Sequence, residues 1–346
     1  MKSFIAELTN YVTSLRWKDQ APSSTPLNWV ILSNGGADFH DSIILFGFED
    51  GKLSPSLVVK TPRIPENGWA LQVEYDHLVE LWNILGSGAA IRLPRPLGMA
   101  TLHQQSALII SYVQGESLIR TSHKVLWENP RQVLALAVDA AQTIREIMNL
   151  TSTPIAEGEQ VPWDFRQKVE KFKQMYALTE EENRILAHIL NRLEVDRLKV
   201  SQKVLIQGDF WHGNMIREAH LGSLVLVDWQ YSRWATDVSL DVYLFLLASA
   251  LTSVPEKLME NKPQELVKIL ASWQSEIIPA YLSAFGKPAG FSLLPIRAGM
   301  LVCCVEKAVR ASMDFGFIQA DDLIWRLIFA ELVKWPEESL FDDAFE

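Results

Sequence analysis

The segment Leu205-Ile206-Gln207-Gly208-Asp209-Phe210-Trp211-His212-Gly213-Asn214, followed by Leu224-Val225-Leu226-Val227-Asp228-Trp229, constrains this chain more than any other stretch. It sets an Asp and an Asn five residues apart just after one apolar strand, with a second Asp at the end of another. A lone Gly-Asp pair marks only a turn. The ordered set G-D-x-x-x-x-N, a short gap, then apolar strand-D-W is far more specific. Phosphoryl transfer from ATP calls for these groups: a carboxylate to accept a hydroxyl proton, and an amide oxygen and second carboxylate to hold Mg²⁺.

Gln207–Asn214 and Val227–Gln230 resemble the HGD….N and DW/DFQ motifs of the aminoglycoside phosphotransferase and choline kinase-like superfamily. Asp228-Trp229-Gln230-Tyr231-Ser232-Arg233, with Asp241 downstream, leans toward its ecdysteroid kinase-like branch. The resemblance runs from about Trp29 to Leu247, roughly two thirds of the chain. It implies an α+β, protein-kinase-like two-lobe fold and ATP- and Mg²⁺-dependent phosphorylation of a small-molecule hydroxyl. Gln207 departs from the pattern, which has His there. The resemblance makes that His a loop organiser, a task an amide can take over. The rival reading that Gln207 raises is a nucleotide-binding pseudokinase acting as scaffold or regulator.

The element order suits such a fold. Phe4, Ile5, Leu8, Tyr11, Val12 and Leu15 have helical spacing in the first twenty residues. Strands are expected at Trp29–Leu32, Ser42–Phe48 and Ser56–Thr61, a helix at Trp69–Leu85, and strands at Leu97–Leu102 and Ala107–Tyr112. Beyond that the chain turns helical, with candidates at Gln132–Asn149, Glu180–Leu198, Leu240–Leu251, Gln264–Ala284, Leu294–Met313 and Asp321–Val333. Residues 1–111 are therefore expected to form an N-terminal nucleotide-binding lobe, with a small antiparallel sheet and the N-terminal helix. Residues 112–346 are expected to form a large, mostly helical C-terminal lobe carrying the catalytic and metal residues and the acceptor pocket, with ATP in the crevice between lobes.

The resemblance assigns the other parts residue by residue. Asp209 orients and deprotonates the acceptor hydroxyl, and Asn214 and Asp228 hold Mg²⁺. Lys60, ending the apolar Leu57-Val58-Val59, matches the lysine that meets ATP phosphates. Glu74, in Glu74-Tyr75-Asp76-His77-Leu78, resembles the helix carboxylate that holds this lysine; Glu80 lies nearly two turns on and faces elsewhere. Ser33, Asn34, Gly35 and Gly36 form a loop whose backbone N–H groups can approach phosphates. Ser111, Tyr112 and Val113 resemble the hinge that bonds adenine. Of the carboxylates after Asp228, Asp241 is the better match for a brace of the catalytic loop, with Asp237 still open.

Composition bounds the partners. The chain has 346 residues and a net charge of −10, which argues against general nucleic-acid or anionic-membrane binding. An acidic surface suits a cationic acceptor, but it also keeps proteins soluble. Cys303 and Cys304 are adjacent and the only cysteines, so no disulfide framework is expected. The first residues lack a secretory apolar core and the run Val242–Leu251 is half a membrane span, so a cytoplasmic location is expected. The acceptor's identity and the oligomeric state stay open.

Overall fold

In the computed structural model, the residues described are 2–15, 27–33, 42–86, 93–118, 129–159, 161, 165–286, 290–315 and 320–335. They form two units. One comprises Met1–Ser117 together with Met215–Ser232; the other comprises Leu118–Asn214 and Arg233–Glu346.

The first unit is built on alternating strands. β1 (Leu27–Ser33), β2 (Ser42–Glu49), β3 (Leu57–Pro62), β4 (Pro96–Leu102) and β5 (Gln105–Ser111) form an antiparallel sheet in the order β1-β2-β3-β5-β4. The β2–β3 connection turns at Gly51, whose φ of +76° suits glycine. Leu45, Leu57, Val59, Leu102, Ala107 and Ile109 point to one face, and α1 (Lys2–Ser14) covers it with Leu8 and Val12. Each such buried Leu, Val or Ile side chain contributes about 1.5–3 kcal/mol. Polar ties fix the helix: Tyr11 donates to the Met99 carbonyl at 2.9 Å, and the Trp29 indole to Thr9 Oγ1 at 3.0 Å. α2 (Gly68–Leu85) packs Leu71, Leu78 and Leu81 inward, with Glu74 buried on the same side. A second small sheet joins β6 (Gly115–Ser117), β9 (Met215–Glu218) and β10 (Leu224–Leu226) in the order β10-β9-β6. Through this pairing residues 215–232, which carry Asp228, pack with the first unit, where a single division near residue 112 was expected.

The second unit is mostly helical. Its elements are α3 (Pro130–Thr151), α4 (Phe165–Met175), α5 (Glu180–Arg197), α6 (Ser239–Thr252), α7 (Lys262–Trp273), α8 (Ile277–Phe285), α9 (Ile296–Phe315) and α10 (Ala320–Val333). A three-stranded sheet of β7 (Thr153–Pro154), β8 (Gln202–Ile206) and β11 (Arg233–Ala235) runs in the order β11-β8-β7. α6 is the apolar run read from the sequence, and it is buried from Ser239 to Ala250. Gly299 lets α9 close on it, because a Cβ there would overlap the Tyr243 ring. α5 starts with a capping box, Thr179 and Glu182 each accepting the other's backbone N–H.

The antiparallel sheet with its helix and the largely helical second unit are the two parts of the expected protein-kinase-like fold. Two local expectations differ. The single helix Gln264–Ala284 is two helices, α7 and α8, broken at Gln274–Glu276. Pro279 explains the break: it has no N–H, and its ring would clash with the carbonyl four residues back in a continuous helix, so it sits in the first turn of a new one. α4 was not anticipated; its apolar positions Phe165, Val169 and Phe172 are diluted by five charged residues. Among the described residues no helix is long and apolar enough to cross a membrane, and Cys303 and Cys304 are buried free thiols.

Candidate active site

In the first unit, β3 delivers Lys60 to the buried face of α2. Its Nζ lies 2.5 Å from Glu74 Oε2 and 2.7 Å from Asp228 Oδ1. Burial alone would lower the Lys60 pKa, but Asp228 and Glu74 outweigh it and hold the ammonium above its ordinary value. Glu80 stays half-buried on a different side of α2, so Glu74 is the partner. One further contact ties α2 to the loop after β10: His77 Nδ1 lies 2.6 Å from Ser232 Oγ. Asp228 itself has φ +64°, a left-handed backbone that few non-glycine residues adopt. The strain accompanies a carboxylate aimed at Lys60. Two carboxylates thus share one ammonium.

Ser33 ends β1, while Asn34, Gly35 and Gly36 lie outside the described residues. Ser111 is committed to Arg95, its N–H donating to the Arg95 carbonyl and its Oγ accepting the Arg95 N–H, both at 2.8 Å. The Tyr112 N–H donates to the Ser56 carbonyl at 3.3 Å. Among the described residues the Val113 N–H has no backbone partner.

In the second unit the loop after β8 is held from below by α6. Asp241 accepts the Gln207 N–H at 2.6 Å on Oδ2 and the Gly208 N–H at 2.8 Å on Oδ1. Asp237 instead accepts the Ser239 N–H at 3.0 Å, so Asp241 is the brace. Gly208 has φ +77°, which turns the chain so that both N–H groups reach one carboxylate. Gln207 is 1% exposed and its Oε1 accepts the Asp209 N–H at 3.1 Å. The Asn214 amide nitrogen donates to the Asp209 carbonyl at 3.0 Å and to Asp209 Oδ2 at 3.1 Å. That directs its amide oxygen away from Asp209. His212 is fully buried against Thr252. Among the described residues no cluster of three or more His, Cys, Asp and Glu side chains could hold a metal by itself. Trp229 belongs to the core.

Sequence reasoning missed two residues. Lys307 Nζ and Arg310 Nη1, both on α9, lie 2.7 and 2.9 Å from Asp209 Oδ1. Burial would raise the Asp209 pKa, but these two cations hold the carboxylate well below its usual range. The available signal was a pair of basic residues three apart just beyond a buried apolar run, Met300–Val305, from which Glu306 separates them.

The sequence profile of the phosphotransferase enzyme family matches residues 37–260. The chain belongs to this family. The matched segment contains Lys60, Glu74, Gln207, Asp209, Asn214, Asp228 and Asp241, and stops short of Lys307 and Arg310. No curated protein matches this phosphotransferase at a significant level. Solved structures similar to it include the aminoglycoside phosphotransferase APH(3'')-Id from Streptomyces rimosus, with 16% identity, a TM-score of 0.47, and 95% of this chain and 99% of that one aligned. The macrolide 2'-phosphotransferase type I aligns with 15% identity, a TM-score of 0.48, and 95% and 97% coverage. An aminoglycoside phosphotransferase from Alicyclobacillus acidocaldarius aligns with 13% identity, a TM-score of 0.45, and 88% and 92% coverage.

Proposed function

We propose that this phosphotransferase moves the γ-phosphoryl group of ATP to a hydroxyl of a small molecule, with Asp209 as the residue that engages that hydroxyl. The observation that carries the reading is the support of Asp209: its loop hangs on Asp241, its own N–H on Gln207, and one carboxylate oxygen on Asn214. A side chain held from three sides is pre-organised to orient an acceptor oxygen and receive its proton. Lys60, held by Glu74, would donate to phosphate oxygens, and the Val113 N–H is the hinge donor best placed to meet the adenine. Asn214 Oδ1 and the Asp228 carboxylate would hold Mg²⁺. The donor set fits, because Mg²⁺ takes one or two protein oxygens and completes its shell with phosphates and water. When bound, the ion offsets charge on the phosphates.

Gln207 is the point on which the scaffold alternative turns. Its bond to the Asp209 N–H supports the active reading, since the loop has its brace without a histidine. Asp228-Trp229-Gln230 inclines us to the ecdysteroid kinase-like branch. A cytoplasmic site of action fits two unpaired buried thiols.

The test is ATP consumption over a panel of hydroxyl-bearing metabolites. Asp209→Asn is expected to lower turnover by roughly 10²–10⁴-fold while the Mg·ATP-induced rise in melting temperature persists. Equal turnover in wild type and Asp209→Asn would overturn the assignment. Transfer by Gln207→His but not by wild type would make the scaffold reading correct.

A further inference from the structure

The left-handed backbone of Asp228, at φ +64°, has to be held in place. A non-glycine residue keeps such a conformation only where its surroundings over-determine it. Trp229, fully buried, frames it from both sides. Its indole N–H donates to the Leu226 carbonyl at 3.2 Å, closing a loop over Val227 and Asp228. Its own carbonyl accepts the Ser232 N–H at 3.0 Å and also the Ser232 hydroxyl. The Asp228 side chain is held separately, by the Lys60 ammonium at 2.7 Å.

Ser232 gives this loop a second attachment to α2. It is buried, and its Oγ lies 2.6 Å from His77 Nδ1. His77 follows Glu74 by three residues on α2, so the two share a face. The helix thus reaches the Asp228 segment from adjacent turns: Glu74 acts through Lys60, and His77 through Ser232.

The direction of the second link follows from counting protons. Ser232 has one hydroxyl proton, and it lies between Oγ and the Trp229 carbonyl. Turned toward His77, it would leave two acceptor oxygens in contact. The proton in the His77 contact therefore comes from the ring, and Nδ1 is the donor. Burial lowers the His77 pKa against the pull of Glu80 and Asp76, so near pH 7 the ring is neutral and its single proton sits on Nδ1. A one-way chain results: His77 Nδ1–H to Ser232 Oγ, then Ser232 O–H to the Trp229 carbonyl. In such a chain each bond polarises the next.

We propose that His77 and Ser232 are positioning residues for Asp228: their hydrogen-bonded latch fixes the turn that presents the Asp228 carboxylate and ties it to the helix that holds Lys60. Neither residue is a ligand. The inference rests on the phosphotransferase reading for what Asp228 presents its carboxylate to, which is Mg²⁺ with the ATP phosphates. Partners behind a ligand govern metal affinity because they fix its orientation before the ion arrives.

The experiment uses the full chain. Without nucleotide or metal, NMR of the histidine ring nitrogens should find His77 as the Nδ1–H tautomer, its signal identified by its loss in His77→Asn. Ser232→Ala should free the ring from that tautomer and speed hydrogen exchange at residues 228–232. At fixed ATP, the Mg²⁺ concentration giving half of the full rise in melting temperature should increase about tenfold in Ser232→Ala and in His77→Ala. His77→Asn, which keeps an amide N–H near the Nδ1 position, should retain most of the wild-type response. Tyr11→Phe loses a different hydrogen bond of the same unit, to the Met99 carbonyl, and should leave the Mg²⁺ requirement unchanged. A His77 ring protonated at Nε2 overturns the inference. So does a Tyr11→Phe protein that shifts the Mg²⁺ requirement as much as Ser232→Ala, because the effect would then be loss of stability alone. An unaltered requirement in Ser232→Ala, with wild type transferring phosphate, removes the latch and leaves the phosphotransferase reading standing. A fixed Nδ1–H tautomer and faster exchange in Ser232→Ala, with no response of wild type to Mg·ATP, keeps the latch and removes that reading.

Discussion

Lys60 Nζ and Glu74 Oε2 meet at 2.5 Å, and Glu74 is fully buried. A charge in such a place is tolerated only while its partner remains. Glu74→Ala is therefore expected to destabilise the protein by about 3 kcal/mol or more in urea unfolding. It should also weaken the stabilisation by Mg·ATP, since Lys60 would then lean wholly on Asp228. A Glu74→Ala protein as stable as wild type would show that the pair does not bear on the fold.

Asp209→Asn changes more than chemistry. It removes the carboxylate that Lys307 and Arg310 share, at 2.7 and 2.9 Å. Loss of one member of a buried ionic group costs about 3–5 kcal/mol. The double variant Asp209→Asn/Lys307→Met is expected to recover at least about 1 kcal/mol of that in urea titrations, because one stranded cation is gone. Simple additivity of the two single variants would argue that the contact carries no coupling.

Stability should depend on pH in two opposing ways. Burial pushes Asp237 and Asp241 up to about 6 from an ordinary value of 3.8. Between those values the folded protein holds protons that the unfolded chain has released, so stability falls as pH rises through that window. Burial would also raise Glu306, but Arg233 and Lys168 bring it down to about 2, and its contribution grows as pH rises from there toward the ordinary 4.5. Stability is expected to peak near pH 4–5 and to decline toward pH 6. Asp237→Asn should flatten the decline by at most about 3 kcal/mol across the window, as measured by urea midpoints from pH 4 to 7. An unaltered slope would show that Asp237 titrates normally.

Gly115 faces the Arg217 carbonyl so closely that a Cβ would overlap it. That carbonyl is backbone in the β6–β9 ladder, where Gly115 pairs with Glu218, and it cannot rotate away. Gly115→Ala is expected to cost about 1–3 kcal/mol, as overpacking does, and to loosen the segment that brings Asp228 into the first unit. Hydrogen exchange at residues 215–218 should rise in this variant; unchanged protection would mean that the ladder absorbs the methyl.

Local pattern made much of this protein readable in advance. The strands of the first sheet, α2, the buried run that became α6, and the spacing of Asp209 and Asn214 all rest on periodicity or on offsets of a few residues, which the backbone enforces wherever the chain goes. The Pro279 break is also local, since a proline's missing N–H and its ring act on the turn it occupies. Other features depend on contacts that spacing does not encode. Asp228 joins Lys60 across 168 residues, and Lys307 and Arg310 reach Asp209 across 98 and 101. The choice of Asp241 over Asp237 followed from how the start of α6 sits under the Gly208 turn, 33 residues earlier. Helix packing decides these meetings, because the free energy of burying apolar faces selects which side chains converge, and a lysine in a helical pattern reads alike whether it faces solvent or a carboxylate.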